Sequence, residues 1–138
     1  MPVDSTDLIA LAAELSSGHS EVKQRAAISR AYYASYHRSR GWEDQLPLVG
    51  NDFAAYGSHE RLIARLRHPH QACDSTVAAF SRRIGAMLED QRKHRSFADY
   101  NVKRRLPGRL AAEQMRLAEE LLRLCKVCDP RSGHVSQV

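Results

Sequence analysis

The sequence predicts an all-α protein, a four-to-five-helix up-and-down bundle, and three observations carry that reading. Ala and Leu dominate a chain with only 7% aromatic residues, a balance that favours helices over sheets. No run of alternating β-branched residues reads as a strand. Five stretches with helical apolar spacing are separated by stop signals, and the connections are short. At 138 residues the chain makes one domain with one continuous core, expected over residues 1–130. The polar residues 131–138 are expected to form a disordered tail.

Each helix has its own local warrant. The first starts near Asp4 or Ser5, carries Leu8, Ile9, Leu11, Ala12 and Leu15, and stops at Gly18. Ser20 caps a long second helix that runs to about Arg40, with Val22, Ile28, Tyr32 and Tyr36 on one broad face. Its small residues, Ala26, Ala27, Ala31, Ala34 and Ser35, permit close helix–helix approach, and Gly41 is expected to end it. Trp42 to Gly57 holds Pro47, Gly50, Asn51 and Gly57 and reads as a loop. Ser58 caps a short third helix with Leu62, Ile63 and Leu66, which His68-Pro69-His70 breaks. Asp74 or Ser75 caps the fourth helix, expected to reach about Phe97. After the Leu106-Pro107-Gly108 break, a fifth helix carries Leu110, Ala111, Met115, Ala118, Leu121, Leu122 and Cys125, and Asp129-Pro130 ends it.

The end of the fourth helix is the most informative stretch. With 100° per residue and Arg92 at zero, Val77, Phe80, Ile84 and Leu88 project to about −60°, −120°, −80° and −40°. Arg95 then falls near −60° and Asp99 near −20°, so charge continues the apolar stripe. Burying a charge costs several kcal/mol unless it is paired, so such a cluster lines a cleft, an interface or a site. The plainer reading is an Arg95–Asp99 pair at i, i+4 that closes the bundle, about 0.3–0.5 kcal/mol if exposed. His94 projects to about −160°, away from this direction; whether His59, at the start of the third helix, reaches a shared cleft depends on how the helices pack.

Charge is concentrated in the same region. From Arg82 to Arg105 there are eight Lys or Arg and three Asp or Glu, which accounts for the whole net charge of +5. A basic stripe beside a polar cleft suits a phosphate-bearing partner, and Arg is favoured where a phosphate is gripped by two N–H groups. Because Arg outnumbers Lys throughout, a solvated face in an Arg-rich chain accounts for the same charge.

Other chemistries lack their signatures. There is no Walker loop, dinucleotide fingerprint, HExxH or nucleophile elbow, so no cofactor and no metal is expected. Cys125 and Cys128 have the spacing of half a zinc ribbon, and His68, His70 and Cys73 are the nearest further donors, but nothing in their spacing requires a site. Buried thiols at a helix end are the simpler reading. Three cysteines are an odd count and imply no disulfide framework. Without a signal peptide or an apolar run of membrane length, a reduced, cytoplasmic protein with no membrane contact is expected.

Three segments together resemble the HEPN family, whose members occur in higher eukaryotes and prokaryotes and are often paired with nucleotidyltransferases. Arg25-Ala-Ala-Ile-Ser-Arg-Ala-Tyr-Tyr-Ala-Ser-Tyr-His37 is similar to the family's Arg/Ala/Tyr-Tyr second helix. Ser58-His59-Glu60-Arg61-Leu62-Ile63 resembles its short middle helix, and Arg92 to Tyr100 resembles the Arg…Ala-Asp-Tyr branch. The match in order and spacing covers about residues 20–125.

The resemblance implies a homodimer in which two copies of the fourth-helix motif face each other. It also implies RNA or nucleotide binding in a toxin–antitoxin or defence setting, with metal-independent cleavage in catalytic members. There an Arg precedes a His with four to six residues between them. Here the corresponding positions hold Phe97, Ala98 and Asp99 after Arg92, and Tyr100, Asn101 and Val102 after Arg95. Ala98 thus stands in the His place and Tyr100 in the Tyr place of the His-x-Tyr ending. On this reading Arg92 and Arg95 bind the scissile phosphate, Asp99 orients them, and Tyr100, His94 or another nearby histidine moves a proton. Lys93, Lys103, Arg104 and Arg105 would extend the RNA contact. The alternative is a non-catalytic subunit that pairs with a nucleotidyltransferase, an antitoxin or another protein, with Arg95 and Asp99 in the interface. A helix-turn-helix DNA binder draws only on the positive charge, since no short helix pair with a compact turn stands out.

Overall fold

The computed structural model describes residues 2–137; Met1 and Val138, the last residue of the expected tail, lie outside the described residues. Among them there are five helices and no strand: α1 (Ser5–Ser16), α2 (Glu21–Glu43), α3 (Ser58–Arg67), α4 (Ser75–Tyr100) and α5 (Leu110–Val127). The protein is an all-α bundle. Three starts follow from side-chain capping. Asp4 and Asp7 form a reciprocal capping box, Ser20 accepts from the Lys23 amide, and Asp74 accepts from the Thr76 and Val77 amides.

Three boundaries differ from the sequence reading, each for a tertiary reason. α2 continues past Gly41 to Glu43, because Trp42 and Glu43 both find buried partners. The Trp42 indole N–H donates to the Cys128 carbonyl at 3.0 Å, and Glu43 takes two hydrogen bonds from Arg65 at 2.8 and 2.9 Å. α3 is capped by Gly57 at φ +90°, and Ser58 is its first helical residue. α4 runs to Tyr100, because Arg25 of α2 satisfies its last carbonyls: it donates to Ala98 O at 2.9 Å and to Phe97 O at 3.4 Å.

Residue pairs fix the helix directions. Arg25–Ala98 and Ser35–Gln91 make α4 antiparallel to α2. Gln114–Ile28, Arg38–Cys125 and Trp42–Cys128 make α5 run with α2. Tyr32–His59 and Glu43–Arg65 make α3 run with α2 as well, so residues 44–57 carry the chain back and interrupt the up-and-down alternation once. Gly50 fixes that connection on α3: a Cβ there would collide with the Arg65 and His68 carbonyls.

The main core lies between α2, α3, α4 and α5, built on Tyr32, Trp42, Leu66, Ile84, Leu88 and Leu121. A polar seam crosses it. Buried Gln114 donates to the Ile28 and Gln91 carbonyls at 3.2 and 3.0 Å, and Ser35 donates to Gln91 Oε1 at 2.7 Å. Residues 129–136, partly within the expected tail, turn back on α5. Asp129 N donates to His134 O, Gly133 N to Asp129 O, and Ser136 N to Val127 O. Asp129 nucleates the turn by accepting from the Arg131 amide and the Ser132 hydroxyl, a local signal that overall polarity hides.

Candidate functional site

Four aromatic or imidazole residues of α2, at Tyr32, Tyr33, Tyr36 and His37, fall at i, i+1, i+4 and i+5 and make one face. The start of α3 and the last three turns of α4 close over it. His59 enters from α3: its Nδ1 lies 2.6 Å from the Tyr32 hydroxyl. Its ring stacks on Tyr36 at 4.1 Å and on Tyr32 at 5.6 Å between centroids. Arg95 enters from α4 and donates to the Tyr33 hydroxyl at 2.9 Å. Its guanidinium stands 5.3 Å from the Tyr33 ring, 5.9 Å from Tyr32 and 5.7 Å from Tyr100.

Each guanidinium has its own carboxylate partner. Arg95 Nε faces Asp99 Oδ2 at 2.9 Å, but the N–H is not aimed along that line, so the contact is an ion pair rather than a hydrogen bond. Ser29 of α2 donates to the same Asp99 oxygen at 3.4 Å. Arg92 gives one N–H to Glu60 Oε1 at 3.2 Å, while its buried Nε has no hydrogen-bond partner among the described residues. The Arg92 side chain as a whole is part-exposed and Glu60 is its one carboxylate partner, so its terminal N–H groups remain open to a phosphate or carboxylate oxygen.

A groove of about 800 Å³ opens beside this cluster between α3 and α4. Ile63, Ala64 and Phe97 line it with apolar surface, Tyr100 stands at its edge with 70% of its surface exposed, and Arg67, Arg92 and Lys93 line its basic side. Glu60 and Glu89 are the acidic residues there, paired with Arg92 and with Arg67 and Lys93.

The electrostatics of the centre are one-sided. Burial first, and then the charges of Arg92, Arg95 and His37, push the His59 pKa below the ordinary histidine value, so the ring is neutral near pH 7. Burial raises the Tyr32 hydroxyl above the ordinary tyrosine value, which keeps it protonated as a hydrogen-bonding group.

The fold therefore brings Arg92, Arg95, Asp99 and Tyr100 together. It does not bring His94 with them: its Nδ1 lies 2.7 Å from Gln114 Oε1, on the α5 side of the helix. Lys93 lines the groove, whereas Lys103, Arg104 and Arg105 are exposed on the connection after α4. Arg105 borders a different hollow, with His19 and Glu21. Tyr33, Tyr36 and Glu60 were not singled out as site residues from the sequence. The signal that points to the two tyrosines is the clustered polar aromatics of α2, which read equally well as core, whereas Glu60 is marked by no pattern of its own.

No three His, Cys, Asp or Glu side chains stand together as metal ligands would among the described residues. Cys125 is buried, and burial pushes its thiol up to about 12. No described helix is long and apolar enough to cross a membrane. Compared with protein-family models, curated proteins and solved structures, the chain matches none.

Proposed function

We propose that the protein binds RNA along the α3–α4 face and cleaves it by metal-independent phosphodiester chemistry, as a HEPN-type homodimer of a toxin–antitoxin or defence system. The observation that carries the reading is Arg92, a part-exposed guanidinium at the groove with one hydrogen bond, to Glu60, among the described residues, beside Arg95. In this reading Arg92 takes a phosphate oxygen and stabilises the charge that grows on it in the phosphorane. Arg95 is held by Tyr33 and Asp99 as the second positive charge. Lys93 and Arg67 carry the strand along the groove.

The test is incubation of the purified protein with end-labelled structured and single-stranded RNA in EDTA, beside Arg92→Ala. Cleavage to 2′,3′-cyclic phosphate ends by the wild type alone supports the reading. Equal binding and equal cleavage by the two proteins overturns it.

A second reading has its own observation: each guanidinium already has a carboxylate partner, Glu60 for Arg92 and Asp99 for Arg95. Under it the face is an interface for a nucleotidyltransferase or another protein. Intact RNA with every folded variant, together with co-purification of such a partner, favours it.

A further inference from the structure

We propose that His59, on α3, is the general base of this cleavage and that Tyr32 is its positioning residue. The inference rests on the RNA-cleaving reading above and adds to it the group that moves the proton.

The argument begins with which histidine the fold delivers. Among the described residues only His37 and His59 reach the aromatic face of α2, and there His37 is exposed and makes no side-chain hydrogen bond. His59 is fixed in three ways: Nδ1 against the Tyr32 hydroxyl at 2.6 Å, one ring face against Tyr36 at 4.1 Å, and the Tyr33 ring edge-on at 6.2 Å. Nε2 is left without a partner among the described residues. A catalytic base needs this arrangement, with one nitrogen held and the other open.

Tyr32 suits the holding role. It is fully buried, and its hydroxyl has no partner but His59. A hydroxyl both donates and accepts, so it accepts Nδ1–H in the tautomer that leaves Nε2 unprotonated. The same contact survives when the ring becomes an imidazolium. The charges around the ring are Arg92 and Arg95 from α4, His37 from α2, and Glu60 beside it on α3, with Tyr33 and Tyr36 as further polar neighbours. Burial first, and then these two cations, keep the free ring neutral and therefore basic-competent. A bound phosphate offsets those cations and strengthens the base when substrate is present.

The step balances. Nε2 takes the proton of a ribose 2′-hydroxyl, the 2′-oxygen bonds to the adjacent phosphorus, and the bond from phosphorus to the 5′-oxygen breaks. The departing 5′-oxygen takes a proton from water, and the product carries a 2′,3′-cyclic phosphate. His59 then returns its proton to solvent.

The experiment uses full-length wild type, His59→Asn, Tyr32→Phe and Arg92→Ala on an oligonucleotide containing ribose. The all-2′-deoxy oligonucleotide is the non-cleavable probe. Asn keeps an N–H donor near the Nδ1 position but does not titrate. His59→Asn is expected to lose about 10²–10⁴-fold in kcat with little change in KM. The acid limb of wild-type kcat/KM is expected below the ordinary histidine value, and absent in His59→Asn. Tyr32→Phe is expected to lose less and to displace that limb. The His59 ring resonance of the wild type is expected to titrate at higher pH with the deoxy oligonucleotide bound, a readout independent of whether any variant folds. Cleavage by His59→Asn at the wild-type rate, with Arg92→Ala inactive, overturns this proposal and leaves the RNA-cleaving reading standing. An unchanged His59 titration on binding also overturns it. No cleavage by the wild type on any RNA overturns both.

Discussion

Arg25 closes the carboxyl end of a helix 73 residues away: its guanidinium donates to the Ala98 carbonyl at 2.9 Å and also to the Arg104 carbonyl. α4 has no basic residue in its own last turn, so α2 supplies the positive group that its exposed carbonyls attract. Glu21, one turn earlier, accepts from the Leu106 amide at 2.6 Å. The two side chains clasp residues 98–106 onto α2, and that clasp sets where Arg95, Asp99 and Tyr100 stand.

Arg25→Ala is therefore expected to lower stability by about 1.5–3 kcal/mol, the range for hydrogen bonds from a charged donor. Thermal melting measures the loss. Hydrogen exchange locates it, with faster exchange over residues 97–106 and little change in α3. Uniform acceleration along the chain would argue against a local clasp.

The Glu43–Arg65 pair makes a second expectation. Glu43 is only 7% exposed, and Arg65 reaches both its oxygens. Arg65→Met leaves a buried carboxylate without a partner, at a cost of about 3–5 kcal/mol. Glu43→Gln combined with Arg65→Met is expected to recover much of it. Chemical denaturation of the two single variants and the double variant gives the coupling.

Stability is expected to fall as pH drops through the histidine range, partly because of His59. Its folded pKa is depressed, by burial first and then by Arg92 and Arg95, so the unfolded chain takes up a proton that the folded chain resists. The His59 contribution is therefore constant above the unfolded value. It is lost progressively below that value, down to the folded one. Urea unfolding across this interval is expected to show a shallower pH slope for His59→Asn than for the wild type. Equal slopes would place His59 in a less buried, less positive setting.

Thiol chemistry tests the core. Burial raises the Cys125 thiol to about 12, while Cys73 is half-buried and less shielded. Alkylation of the native protein at mildly alkaline pH is expected to label Cys73 first and Cys125 only after unfolding. Mass mapping of the labelled peptides separates these outcomes.

Much of the fold was legible because its signals are local. Ser20 and Asp74 advertise their helices through side chains that reach backbone amides two or three residues on. The extension of α2 to Glu43 was not legible, since Gly41 reads as a stop and the overriding partners, Cys128 and Arg65, are distant in sequence. The direction of α3 was hidden for the same reason.

At the candidate site, the angular pattern of α4 alone separates His94 from Arg92, Arg95 and Asp99, and the structure puts His94 against α5. A single-helix projection says nothing about which neighbour faces that stripe. The meeting of His59 with Tyr32 depends on where α3 packs along α2, and only the packed bundle supplies that.

Trp42 is the sole tryptophan of the chain, 1% exposed and hydrogen-bonded to the Cys128 carbonyl. Ten residues separate it from Tyr32 along α2, roughly 15 Å of helix. Its emission thus comes from one defined, solvent-shielded site where the second and last helices are tied together. Loosening at the guanidinium cluster leaves that fluorophore in place, whereas separation of α5 from α2 moves its spectrum to the red. The native chain carries its own optical gauge, one that distinguishes opening of the cleft from collapse of the bundle.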